Sequence, residues 1–240
     1  MHLLEIDGLV RHFGQLRVID GLRLALAPGE VLGIIGPNGA GKSTLFNLIA
    51  GVLTPASGEI RFDGRDITRL RPWHRCRLGI GRTYQIPRPF THMSVFENVL
   101  VAAVHGGGVS VAQGRRRAEA VLGHAGLAPH HARPAGQLSL LDLKRLELCK
   151  ALAVSPRLLL LDEIAGGLTE PECALLLDVV RRARTPGMSV IWIEHVVQAL
   201  RRVATRLAVL HGGGLLAEGD PDTVLADPRV RDVYLGTEGS

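Results

Sequence analysis

Gly36-Pro37-Asn38-Gly39-Ala40-Gly41-Lys42-Ser43 is the stretch that decides the fold. It matches G-x-x-x-x-G-K-[ST], and its flanks supply the context that gives the pattern meaning. Val31-Leu32-Gly33-Ile34-Ile35, a short apolar run, reads as a buried strand entering the loop. The stretch from Lys42 to Ala50 reads as a helix closed by Gly51. The glycines let the backbone curl until successive N–H groups face inward as an anion nest. The helix adds its positive end and its unpaired first-turn amides. Lys42 supplies a compact charge for the β- and γ-phosphates, and the Ser43 hydroxyl is placed for Mg²⁺, which favours oxygen ligands. A lysine here is informative: the chain holds 28 basic residues, of which only Lys42, Lys144 and Lys150 are lysine. The wide arginine fork would not fit inside a closed loop as an ammonium does.

A second run completes the chemistry. Leu158-Leu159-Leu160-Leu161 is followed by Asp162-Glu163, so a buried strand brings two acids to its carboxyl end, where open α/β sheets bind ligands. Asp162 would hold Mg²⁺ through water, and Glu163 would polarise the attacking water as general base.

Outward from these two points the chain alternates. Leu3–Ile6, Leu22–Leu26, Glu59–Phe62, Met188–Ile193, Arg206–Leu210 and Leu215–Glu218 read as strands. Asp142–Val154, Glu170–Arg184 and Val196–Val203 read as helices, with a short helical piece near Val230. Strands alternating with helices predict an α/β sheet covered on both faces. Residues 86–153 have a different texture and are expected to form an inserted helical subdomain with a loose tip at Gly106–Gly108.

Composition excludes several classes. The 240 residues carry a net charge of +5 but only 4% aromatics, too few for a base-stacking platform. A dispersed arginine surface accounts for the charge, with an acidic headgroup or partner face as the alternative. No run approaches the ~18 apolar residues of a membrane span, so membrane contact would go through a partner. The start, MHLLEIDGLV, lacks a basic n-region and is not expected to act as a secretory leader. Cys76, Cys149 and Cys173 lack metal-ligand spacing and are expected to be small apolar residues in a reducing compartment.

With these residues quoted, the chain resembles the nucleotide-binding subunits of ABC transporters over nearly its whole length, and most of all the ATP-binding subunits of branched-chain amino-acid importers. Gly36, Pro37, Asn38, Gly39, Ala40, Gly41, Lys42, Ser43 and Thr44 are similar to that family's Walker A, and Leu158–Glu163 to its Walker B. Gly81-Arg82-Thr83-Tyr84-Gln85 with Phe90, then Met93-Ser94-Val95-Phe96-Glu97-Asn98, resembles the Q-loop region; Ile193-Glu194-His195 resembles the switch-histidine segment, and Asp227-Pro228 through Gly236 the subfamily's tail. The resemblance implies a P-loop NTPase core with an antiparallel β subdomain and a helical subdomain, one ABC ATPase domain over residues 1–240. It implies an ATP- and Mg²⁺-dependent motor that dimerises on permease subunits at the cytoplasmic membrane face, with a solute receptor as an indirect partner. Gln85 would touch Mg²⁺ or the attacking water, His195 the γ-phosphate, and Phe13 would stack on adenine.

The resemblance breaks at Leu138-Ser139-Leu140-Leu141-Asp142. Leucines stand at both glycine positions of the family signature, where a Cβ obstructs close backbone approach to a γ-phosphate. Ile164 replaces a common proline, and Thr169 stands where the D-loop acid or amide usually is. These departures predict an asymmetric ATPase pair, or a homodimer that hydrolyses poorly. An ATP-dependent dimerising sensor and a lipid-export ATPase are the alternatives. A chromosome- or repair-type ATPase is disfavoured, because no coiled-coil heptads interrupt the chain.

Overall fold

The computed structural model describes residues 2–183, 185–194 and 197–235. In chain order come β1 (Leu4–Phe13), β2 (Leu16–Leu26), β3 (Val31–Ile35), α1 (Lys42–Ile49), β4 (Ser57–Phe62), β5 (Arg65–Asp66), α2 (Pro72–Arg77) and β6 (Ile80–Arg82). A helical stretch follows: α3 (Val95–Val101) running into a π-turn at Ala102–Gly106, then α4 (Val111–His124) and α5 (Leu140–Ala153). Alternation resumes with β7 (Leu158–Asp162), α6 (Glu170–Ala183), β8 (Ser189–Ile193), α7 (Val197–Arg201), β9 (Arg206–His211), β10 (Gly214–Gly219), α8 (Pro221–Ala226) and α9 (Pro228–Leu235). The α/β class expected from the alternation is the observed one.

The chain divides into two units, Met1–Arg75 with Ser189–Ser240, and Cys76–Met188. The first contains an antiparallel sheet in the order β2-β1-β4-β5. It also contains a mainly parallel set in which β3 lies between β8 and β9, Val31 opposite Val190 and Leu32 opposite Arg206, with β10 antiparallel on β9. All five residues of β3 are buried, which is why that strand is apolar throughout instead of alternating. β1 runs well past Ile6, where the expected strand ends. Gly8 takes φ 58° and nothing lies within 4 Å of where its Cβ would be, so a bulge there shifts the register and lets the strand continue.

α1 is anchored at its far end by Arg75, which is 1% exposed. Its guanidinium donates to the carbonyls of Leu48 at 2.7 Å and Ile49 at 2.9 Å, and also to Leu70 and Thr68, each at 2.9 Å. Gly51 at φ 78° turns the chain away; a Cβ there would meet Arg75 Nε at 2.6 Å. Burial pulls the Arg75 pKa down to about 10, still well above neutrality, so the cation faces the negative end of the helix as a charge.

In the second unit β6 pairs with β7 in parallel, and α3, α4 and α5 pack on one another. Ser94 and Ser110 close capping boxes with Glu97 and Gln113, which starts α3 and α4 cleanly. The loose tip expected at Gly106–Gly108 is corrected at its first two residues. A Cβ on Gly106 would meet Val154 Cγ1 at 2.9 Å, and one on Gly107 the Ala103 carbonyl at 2.6 Å. These glycines are there because the turn is packed against its neighbours. α5 starts at Leu140, two residues before the expected Asp142, because Ser139 caps it. The three cysteines are free thiols; Cys149 is fully buried and its pKa is pushed up to about 12 by desolvation, as an inert apolar residue requires.

Arg75→Met should lower stability by about 3 kcal/mol in urea denaturation, because four carbonyls lose their donor while their surroundings stay dry. Arg75→Lys should recover only part of that, since one ammonium cannot span the four acceptors.

Candidate functional site

The first unit holds the phosphate loop. β3 delivers the chain to Gly36 at φ 153°, and Gly39 at 81° and Gly41 at 98° continue the curl. Gly41 is the N-cap of α1 in the left-handed region, a conformation that costs other residues energy. A Cβ on Gly36 would lie 2.3 Å from the Leu210 carbonyl oxygen, and one on Gly41 2.7 Å from that of Val18. Gly39 has open space around it. Lys42 is 6% exposed, and its ammonium donates to the Gly36 and Pro37 carbonyls at 2.6 and 3.0 Å. The lysine thus closes the loop on itself. Pro37 and Thr44 are half-buried, Ala40 is buried, and Asn38 and the Ser43 residue are exposed. No acid occupies the first turn of α1, so its positive end is left to an outside anion. Phe13 closes β1 and is 46% exposed, with the Arg11 guanidinium 5.0 Å from its ring centre.

The second unit holds the acids. Asp162 ends β7 at 6% exposure, and Glu163 follows at φ 45°, a left-handed backbone uncommon outside glycine. Each carboxylate is held from the end of β6 or the segment just after it. Arg82 Nη2 donates to Asp162 Oδ2 at 3.0 Å, and Gln85 Nε2 donates to Glu163 Oε2. The structure therefore brings Gln85, Asp162 and Glu163 together. Arg82 belongs with them although composition did not single it out; its signal is its place on a short strand aligned with the acidic one.

The degenerate signature also lies in this unit. Leu138 is buried and Leu140 is 46% exposed. Ser139 caps α5: its hydroxyl accepts from the Asp142 amide at 3.2 Å and donates to Asp142 Oδ2 at 2.9 Å. Asp142 also meets Arg145 Nη1 at 3.2 Å, and Leu141 is half-buried. Thr169 has a structural task, since its amide and hydroxyl both donate to Glu172 at the start of α6. Ile164 is buried. His195 lies outside the described residues, as do Arg184 and Gly236. No helix among the described residues is long and apolar enough to cross a membrane.

A strand–glycine loop–helix carrying Lys42 and Ser43, in a chain with an apolar strand ending in two acids, defines a P-loop nucleotide-binding protein. The comparisons make this specific. Residues 19–166 match the ABC transporter family, and residues 215–240 match the branched-chain amino acid ATP-binding cassette transporter family. The lipopolysaccharide export system ATP-binding protein of Acidithiobacillus ferridurans is 34% identical over 236 residues, 98% of each chain. The high-affinity branched-chain amino acid transport ATP-binding protein LivG of Escherichia coli K12 is 33% identical over 249 residues, again 98% of each. A crystal structure of the ADP conformation of an ATP-binding cassette superposes with a TM-score of 0.87 at 31% identity, covering 98% of this chain and 99% of that one. The chain belongs to the ABC transporter ATP-binding family and resembles the branched-chain amino-acid importer ATPases.

The loop geometry separates two substitutions of the same kind. Gly36→Ala should unfold the loop and cost at least tenfold in nucleotide affinity, because backbone blocks the new Cβ. Gly39→Ala should cost about 1 kcal/mol of backbone strain and little else. Urea denaturation with nucleotide titration of both variants reads the difference.

Proposed function

We propose that the chain is the ATP-hydrolysing motor subunit of an importer for branched-chain amino acids or a related small solute, working as a dimer on permease subunits at the cytoplasmic membrane face. The match of residues 215–240 to the branched-chain amino acid cassette family carries this reading. The backbone N–H groups of residues 38–44 and Lys42 bind the ATP phosphates, Gly36 and Pro37 shape the loop, and Phe13 stacks on adenine. Residues 86–153 act as the helical subdomain of one ABC ATPase domain and pass motion to the permease. A solute receptor supplies the cargo.

Mg²⁺ fits the donor set. Ser43, Asp162 and the Gln85 amide each offer a hard oxygen. Mg²⁺ is commonly held by few protein groups together with the phosphates of its nucleotide. It would offset charge on the transferring phosphoryl group. Glu163 orients the attacking water and takes its proton, Gln85 reports the nucleotide state, and His195 contacts the γ-phosphate.

The signature supports the asymmetric form of this motor. The first turn of α5 already holds an acid, Asp142, bound to Ser139. An anion there disfavours a second anion from a partner's nucleotide. The chain's own phosphate loop and Glu163 then work with a signature supplied by a different subunit. The lipid-export reading keeps one support, the lipopolysaccharide-export relative that matches over the same length. The weakly hydrolysing sensor is favoured by the leucines and opposed by Glu163, since a pure sensor has no use for a positioned base.

Glu163→Gln should cut ATP turnover by about 10²- to 10⁴-fold and accumulate an ATP-bound dimer in size-exclusion chromatography; a pure sensor would behave the same with or without the change. Turnover of the chain alone should be a small fraction of that with a second ATPase subunit of intact signature, and full-speed turnover alone would remove the asymmetry. Radiolabelled leucine uptake into cells producing the complex, lost in the Glu163→Gln variant, tests the cargo.

A further inference from the structure

The pairing of Arg82 with Asp162 is unusual for an acid assigned to a metal. Both side chains are nearly buried, 9% and 8% exposed, with Nη2 and Oδ2 3.0 Å apart. A carboxylate at that depth carries a large desolvation cost, which a hydrogen-bonded cation offsets. The register explains the reach. Arg82 lies opposite Leu160 in the parallel β6–β7 pair, so Arg82, Leu160 and Asp162 share one face of the sheet. A long side chain reaches its diagonal neighbour across such a pair. Thr83 extends the pairing to the end of β7: its amide donates to the Leu160 carbonyl at 2.9 Å, and its hydroxyl accepts from the Asp162 amide at 3.2 Å. In the same position the guanidinium lies 5.1 Å from the centre of the Tyr84 ring, a face that attracts cations and that Arg88 shares at 5.0 Å.

We infer that Arg82 is a positioning residue that serves as the counter-cation of Asp162 when no metal is there and opposes the metal when it binds. This rests on the assignment of Asp162 to Mg²⁺. Two consequences follow from Coulomb's law in a poorly solvated site. Without metal, the guanidinium holds the carboxylate in one rotamer, ready to receive a divalent ion. With metal, the same positive charge repels Mg²⁺ at the shared carboxylate and weakens its hold. The Tyr84 face gives the guanidinium a cation-attracting neighbour as its grip on Asp162 slackens. Arg82 therefore tunes the site for an ion that arrives and leaves with the nucleotide in each cycle.

The test titrates Mg²⁺ into the full-length chain holding a fluorescent non-hydrolysable ATP analogue. Arg82→Gln should lower the apparent Kd for Mg²⁺ at least fivefold, while analogue affinity in EDTA stays within twofold of wild type. Arg82→Lys, which keeps the charge, should stay within twofold in both. Tyr84→Ala, which removes the ring face beside the guanidinium, should raise the apparent Kd two- to threefold and serves if Arg82→Gln fails to fold. A purely structural role for Arg82 predicts an unchanged or higher Kd in Arg82→Gln, and either result overturns the inference, as does an unchanged or lower Kd in Tyr84→Ala. Asp162→Asn separates the two levels of the argument. If it weakens Mg²⁺ more than tenfold while Arg82→Gln changes nothing, only the counter-cation role fails. If it leaves Mg²⁺ binding as in wild type, the metal assignment fails and the role of Arg82 falls with it.

Discussion

A short helix with charge arranged at both ends governs the first unit. α1 has no acid in its first turn, and its last carbonyls receive the buried Arg75 guanidinium. Its dipole is thus complemented at the negative end by the protein and left open at the positive end for a ligand. The surrounding structure follows from that arrangement. Gly41 must take a left-handed conformation to start the helix against Val18, and Gly51 must lack a side chain to admit Arg75. Lys42 lies at the helix start because its ammonium also ties the loop to its own carbonyls. The loop is then organised before any phosphate arrives, which lowers the ordering entropy that binding would otherwise cost.

The second unit solves a different problem, two adjacent carboxylates at the end of an apolar strand. Leu158–Leu161 are fully buried, so the acids cannot be moved into water without disrupting the strand. Instead the end of β6 and the segment after it supply one donor to each, Arg82 to Asp162 and Gln85 to Glu163. A segment that ties both acids moves with β7 and is sensitive to whatever binds there. Further along, the same segment is fixed to the helices: the Arg88 amide donates to Glu147, Lys150 donates to the Arg88 carbonyl, and Asn98 brackets Phe90. A change at Asp162 or Glu163 therefore has a continuous hydrogen-bonded route to α3 and α5 within the unit.

What was legible in the sequence was what local chemistry fixes. The phosphate loop needs glycine at set positions and a lysine, and the buried strands need continuous apolar runs, so Gly36–Ser43, Val31–Ile35 and Leu158–Asp162 were plain. The bulge at Gly8 was not, because a glycine inside an alternating pattern reads equally well as a turn. Arg75 escaped notice among 25 arginines because only the tertiary fold distinguishes a buried guanidinium from a solvated one. Arg82 escaped for a related reason: its partner is 80 residues away, and only the strand register aligns them. The glycines at 106 and 107 looked loose because composition alone cannot separate a glycine chosen for freedom from one chosen for lack of volume.

The signature segment shows how a local solution and a family requirement come into conflict. A helix beginning Ser139-Leu140-Leu141-Asp142 caps itself, the Ser139 hydroxyl accepting from the Asp142 amide and donating to the Asp142 carboxylate. That is a good way to start an ordinary helix, and Arg145 on the following turn adds a partner to the acid. On the proposed function the same features would make a poor receiver for a γ-phosphate, because the Asp142 amide is occupied, a carboxylate stands in the first turn and Leu140 is exposed. Local stability has been gained where intermolecular chemistry would have needed open amides and no side chain. The parts of the chain assigned to bind and split its own ATP show no comparable compromise: the glycines, Lys42, Asp162 and Glu163 keep the residue types their tasks demand. On the proposed function, a chain that keeps what it needs for its own nucleotide and caps the segment it would offer to another's would serve as one half of an unequal pair.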